Sequence, residues 1–262
     1  METRKKAWIN LLFLAVTLLI NALGALGVIN GLSQKEISDM FVTLITPSPS
    51  TFSIWSVIYS LLIIALVVMI LKKDDLYYTN AVRQITLLFR ISCILNAAWI
   101  VAFSFVQMEL SVLLIFGFVI VLSLICRKLL KLNGGKHWLL PLTFGVYAGW
   151  LFIASVVNTA AMLVKWNWDG FGIADDIWAI LTLAVAVLLV LAVLLKIRNA
   201  AFPLPIAWAY FGIYQFLSAP EGFKGEFVLL QTAALSGMAV LIGAAAIQFY
   251  RNRWSLIPKG ER

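Results

Sequence analysis

Ionisable groups are scarce in this 262-residue chain, and the few it has avoid its apolar stretches. Charged residues make up 12% of the sequence, against about 25% in an average soluble domain, whereas 63% of residues are hydrophobic. A soluble fold has no means of hiding that much apolar surface. Histidine occurs once, at His137, and cysteine twice, at Cys93 and Cys126, with no Cys-x-x-Cys or Cys/His spacing. That argues against a structural metal or a disulfide framework. It also leaves no credible Ser/His/Asp or Cys/His catalytic set. Within the apolar runs only Arg90 is ionisable, whereas proton pumps, ion-coupled carriers and voltage sensors place acids, bases or histidines at bilayer depth. A retinal protein would need a mid-membrane lysine for its Schiff base, and there is none.

What the sequence does contain is apolar runs of roughly membrane-spanning length, about 20 residues. A helix can fill such a run because it satisfies its own backbone N–H and C=O groups, which lipid cannot do. Eight spans are predicted, at 7–30, 51–71, 87–107, 110–126, 138–164, 177–195, 203–219 and 227–249. The expected fold class is therefore an all-α integral membrane protein. The first run follows Arg4-Lys5-Lys6 but is too long for a signal-peptide core, which needs only about 7–15 residues, and is read as a retained span.

The net charge of +8 is explained by orientation. Alternate connections hold 16 basic residues: Arg4, Lys5, Lys6, Lys72, Lys73, Arg83, Arg127, Lys128, Lys131, Lys136, Lys196, Arg198, Arg251, Arg253, Lys259 and Arg262. The opposite side has three, Lys35, Lys165 and Lys224, and Arg90 can snorkel back to the basic interface. By the positive-inside rule both termini are expected in the cytoplasm of a multi-pass protein of the cell membrane. A nucleic-acid partner has nothing left to explain.

Inside the spans the chemistry is carried by amides, aromatics and small residues. Asn96, Trp99 and Phe103 fall three and four apart and share a helix face; so do Tyr147, Trp150, Ala154 and Asn158. Phe52, Trp55 and Tyr59 form a third stripe, and Asn10, Thr17, Asn21 and Gly24 a fourth. Trp8, Trp138, Trp178 and Trp254, near span ends, read as interfacial anchors. For Trp55, Trp99 and Trp150 the pattern alone leaves helix packing and pocket lining both open. His137, in a basic loop beside Asn133-Gly134-Gly135, reads as a solvated interfacial residue.

Three of these segments, in this order, resemble the translocator protein family, also called TspO/MBR or tryptophan-rich sensory proteins and including the peripheral benzodiazepine receptor. Pro47-Ser48-Pro49-Ser50-Thr51-Phe52-Ser53-Ile54-Trp55-Ser56-Val57-Ile58-Tyr59 is similar to the family's Pro-rich first loop and Trp-x-x-Leu-Tyr second helix. Leu95-Asn96-Ala97-Ala98-Trp99 followed by Phe103 is similar to its third helix, and Tyr147-Ala148-Gly149-Trp150 with Ala154 and Asn158 to its fifth. The resemblance covers roughly residues 7–164. It implies a TspO-like five-helix bundle over residues 1–167, followed by three further spans in 168–262. It also implies a cavity under the first extramembrane loop for a porphyrin, a haem-like group or another lipophilic molecule, with no cofactor required. Trp55 and Trp150 match the two tryptophans associated with tetrapyrrole chemistry, and Asn96, Trp99, Ala154 and Asn158 match other lining positions. With Tyr59, Phe103 and Tyr147 these make up the expected ligand-binding set.

The expected function is sensing, regulation or transport through a planar lipophilic ligand. A permease for a small neutral or lipophilic solute and an enzyme degrading a bound tetrapyrrole are the rival readings. The expected partners are the bilayer and the lipophilic ligand; the sequence does not decide whether the chain forms a homodimer. Reporter fusions at residues 133 and 169 are expected to locate on opposite sides of the membrane, with 133 cytoplasmic. Both on one side would refute the predicted spans.

Overall fold

The computed structural model describes residues 2–132 and 137–258, so Asn133-Gly134-Gly135, Lys136, Lys259 and Arg262 lie outside the described residues. Among those described there are nine α-helices and no strand. They are α1 (Glu2–Ala25), α2 (Gln34–Asp39), α3 (Ile54–Leu71), α4 (Leu76–Ser104), α5 (Met108–Leu132), α6 (Leu139–Lys165), α7 (Asp175–Ile197), α8 (Pro203–Ser218) and α9 (Val228–Arg251). Seven of these segments are long and apolar enough to cross a membrane. Their outer faces carry Leu12, Leu87, Leu113, Leu188 and Leu229, all exposed, which suits a lipid solvent.

The helices depart from the expected spans where local chemistry overrides hydropathy. α4 begins eleven residues before its apolar run, because Asp75 caps it by accepting from the backbone N–H groups of Tyr77 and Tyr78. Burial tends to raise the Asp75 carboxyl, but those amide bonds and nearby His137 and Lys72 outweigh it and hold the group below its usual range. His137 is better supported than a solvated loop residue: its ring stacks on Tyr77 at 4.1 Å, with Nε2 3.7 Å from Asp75 Oδ2. α1 stops at Ala25 rather than 30, where Gly27 turns the chain at φ 72°. Trp8, Trp138 and Trp254 are exposed, as anchors should be, whereas Trp178 is half-buried and donates to Gly170 O.

The expected span 203–219 is α8, a helix of only 16 residues. That is about 24 Å long at 1.5 Å per residue, short of the roughly 30 Å of hydrocarbon. α8 is sheltered by protein, so it need not match the lipid. Its start lies beside the end of α9, where Asn252 Nδ2 donates to Arg198 O (2.9 Å), and its end beside the start of α9, where Gln231 Nε2 reaches Leu217 O (3.5 Å).

Polar contacts also join the helices toward the end of the bundle that carries the basic segments. Arg90 Nε donates to Asn10 Oδ1 and Asn10 Nδ2 to Thr86 Oγ1, joining the first half of α1 to the middle of α4. His137 links the start of α6 to Asp75, and Asn199 Nδ2 donates to Pro141 O, joining it to the end of α7. The helices around this end surround α6, in whose apolar window 72% of residues are buried, against 22–50% in the other six. α6 is therefore the axis of the protein.

One glycine sets how closely α8 and the turn before it approach α6. At Gly149 of α6 an added Cβ would fall 2.1 Å from Phe202 O and 2.6 Å from Pro205 Cγ. Nothing lies within 4 Å of the corresponding point at Gly243. Gly149→Ala is therefore expected to destabilise the detergent-solubilised protein by about 1–3 kcal/mol, as overpacking does, with a lowered Tm. Gly243→Ala should leave the Tm unchanged or slightly raised, because alanine favours helix. Equal Tm values for the two would show that the α6–α8 contact is not tight.

Candidate ligand cavity

The polar and aromatic stripes predicted from spacing meet at the end of the bundle opposite the basic segments. Trp55, in the first turn of α3, is their hub. Its ring lies 5.2 Å from Tyr59, 6.4 Å and nearly parallel to Trp99, and edge-on to Tyr147 and Trp150 at 6.2 Å each. Such separations and angles are the preferred ones for aromatic pairs. Phe52 closes the group from the 3₁₀ turn Pro49–Ser53, edge-on to Trp150 at 6.0 Å. Phe103 follows Trp99 at 5.8 Å.

Above these rings is a cavity of about 560 Å³, within the range typical of small-molecule sites, roughly 300–1,000 Å³. Of the nine expected site residues, Trp55, Tyr59, Trp99, Phe103, Trp150, Ala154 and Asn158 line it. Asn96 and Tyr147 do not. Both are buried below the floor, in a chain of hydrogen bonds that joins four helices. Tyr59 OH donates to Asn21 Oδ1 (2.7 Å), Asn21 Nδ2 to Asn96 Oδ1 (2.7 Å), and Asn96 Nδ2 to Tyr147 OH (2.9 Å). Asn96 is fully buried with both ends of its amide bonded, so its place is structural support for the floor. Below it Leu14, Ile58, Leu62, Phe89 and Phe144, each at most 2% exposed, belong to the hydrophobic core.

Asn158 reaches the cavity from α6 while donating to Ser111 Oγ of α5 at 2.9 Å. Two indole N–H groups have no acceptor: Trp99 Nε1 and Trp150 Nε1 are buried and unpaired among the described residues. Leaving a buried donor unsatisfied typically costs about 1–3 kcal/mol.

The roof is the connection between α1 and α3. α2 begins with a capping box, in which Ser33 Oγ accepts from Glu36 N–H and the Glu36 carboxylate accepts from Ser33 N–H. The bond from the Ser33 backbone N–H holds the Glu36 carboxyl below its usual range. Gln34, Lys35, Ser38 and Asp39 of this helix face the cavity mouth, where Lys35 Nζ pairs with Asp39 Oδ2. Pro47 and Pro49 cover one side.

Sequence reasoning missed this charged rim and two wall residues, Ala209 and Phe216 of α8. In the same helix Trp208, Gly212 and Gln215 meet the roof, whereas Tyr210 turns away and donates to Leu183 O. Asn21 was legible as part of a helical stripe, but its role as the link between Tyr59 and Asn96 needs the packing of α1 on α4.

No curated protein and no solved structure matches the chain. A family model described as TSPO-like protein matches residues 7–247. The match extends beyond the motifs, which end at Asn158, into α9. The chain is an α-helical, multi-pass membrane protein that belongs to the TSPO-like family.

Proposed function

We propose that the cavity binds a planar lipophilic molecule of tetrapyrrole type, and that binding serves sensing or transport. The observation that carries this reading is the pairing of flat aromatic walls with two buried indole N–H groups that have no acceptor in the protein. Rings at roughly right angles, Trp55 against Trp150, offer apolar area to both the face and the edge of a flat ligand. A ligand acceptor, such as a carbonyl, beside Trp99 Nε1 or Trp150 Nε1 would satisfy a donor that is otherwise desolvated for nothing.

The donor set favours a metal-free macrocycle over haem. The lining includes no histidine, cysteine or methionine, the side chains that most commonly hold haem iron. Carboxylates on a ligand's periphery would meet Lys35 at the mouth, where water can also reach them, rather than the uncharged interior. The closed floor favours a binding site over a through-path for a permeating solute, because the hydrogen-bonded chain from Tyr59 to Tyr147 and the core below it block the way to the basic end.

Protoporphyrin is expected to quench the tryptophan emission of the solubilised protein. Trp150→Leu, which keeps apolarity and helix propensity, should bind it about two- to tenfold more weakly, from the loss of about 0.5–1.5 kcal/mol of aromatic contact. Helix content by circular dichroism should not change. Unaltered affinity in a variant of lowered Tm would make Trp150 a packing residue and remove the basis for this assignment.

A further inference from the structure

The cavity is walled by α1, α3, α4 and α6, yet between the 3₁₀ turn that leads into α3 and the outer half of α6 the wall is supplied by α8, through Ala209 and Phe216. The same helix holds the roof. Ser48 N–H donates to Gly212 O (2.9 Å), Trp208 Nε1–H donates to Thr51 O (2.9 Å), and Ser48 Oγ–H donates to Gln215 Oε1 (3.2 Å). Among the described residues, every hydrogen bond from segment 46–53 to a distant part of the chain goes to α8. Gly212 is what permits the approach: a Cβ there would lie 1.9 Å from Thr51 Oγ1, and Thr51 is fully buried. Segment 46–53 in turn carries Pro47, Pro49 and Phe52 to the cavity.

We propose that α8 controls access to the cavity, with Phe216 and Ala209 as wall residues and Trp208, Gly212 and Gln215 as positioning residues that clamp segment 46–53 over it. The inference rests on the reading of the cavity as a ligand site, but its mechanical part stands on contacts independent of any ligand. α8 is itself bound to the rest of the carboxy-terminal trio. Tyr210 OH donates to Leu183 O of α7 (2.7 Å), and the Tyr210 ring lies against Gly237 of α9. The roof of the cavity and the last three helices therefore move as linked parts, and a ligand that lifts segment 46–53 works against α8. Seven helices are long and apolar enough to cross a membrane; α8, shorter and largely buried, is placed where it meets the site.

The clamp is tested by the rate at which N-ethylmaleimide modifies a thiol placed in the cavity, Ala154→Cys in a Cys93→Ser background of the full chain. Cys126, 2% exposed in the core at the other end, remains as an internal monitor of global loosening. Trp208→Phe with Gln215→Leu removes one donor and one acceptor of the clamp while retaining bulk. Each hydrogen bond contributes about 0.5–1.5 kcal/mol, so modification of the cavity thiol should quicken by about five- to 150-fold, with Cys126 unchanged. Trp208→Phe alone should give a smaller increase in the same direction. Trp254→Phe, at an exposed position far from the cavity, should give none. An unchanged rate at Ala154→Cys, or equal acceleration at Cys126, overturns the proposal. Bound protoporphyrin should also leave the double variant faster than the parent. Failure of the parent to bind protoporphyrin would count against the proposed ligand and not against the clamp, which the labelling rates decide alone.

Discussion

The structure depends on a polar chain in a place without water. Tyr59, Asn21, Asn96 and Tyr147 come from α3, α1, α4 and α6 respectively, and each uses a side-chain hydrogen bond to reach the next. In lipid an unpaired amide is costly and a paired one is worth about 0.6–2 kcal/mol. The four residues therefore do not so much add stability as decide the rotation of four helices about their axes. With that register set, the next aromatic turn on each helix, Trp55, Trp99 and Trp150, faces the same volume, and the cavity follows. The amides that resembled ligand groups in the sequence divide into two kinds: Asn96 builds the floor, and Asn158 reaches the space above it while bonded to Ser111.

Much of this was legible before the fold was known. The spans could be read because hydrocarbon demands long apolar helices, and the shared faces of Asn96–Trp99–Phe103 and Tyr147–Trp150–Ala154–Asn158 because helical spacing is fixed. Helix ends were less legible where a single capping residue moved them, as Asp75 does for α4. The least legible feature was the part of α8. Its residues read as one more span, and nothing in a one-dimensional pattern states that Gly212 will lie against Thr51 or that Phe216 will complete a wall begun by helices far away in the chain. Long-range contacts that rest on the absence of a side chain leave little mark on hydropathy.

The motif-bearing helices and the last three also differ in what they do for each other. The resemblance drawn from motifs stops at Asn158, and on that basis residue 167 marks a boundary. Packing crosses it: α8 lies in a groove of α6 that Gly149 opens, and Asn199, just before α8, fills the space beside Gly145 and donates to Pro141 O. At the basic end Asn252 donates to both Arg198 O and Leu256 O, so the end of α9 and the segment after it secure the entry to α8. The family match from residue 7 to residue 247 covers both parts.

The bond between Trp208 and Thr51 joins residues 157 positions apart. During synthesis at about 5–20 residues per second, the roof of the cavity leaves the ribosome ~8–31 s before the helix that holds it. α6 ends at Lys165, so only for the last ~2–9 s of that interval are α1, α3, α4 and α6 all made while the side toward α8 stands open. The order of the helices along the chain thus leaves segment 46–53 without its distant hydrogen-bond partners until α8 is made.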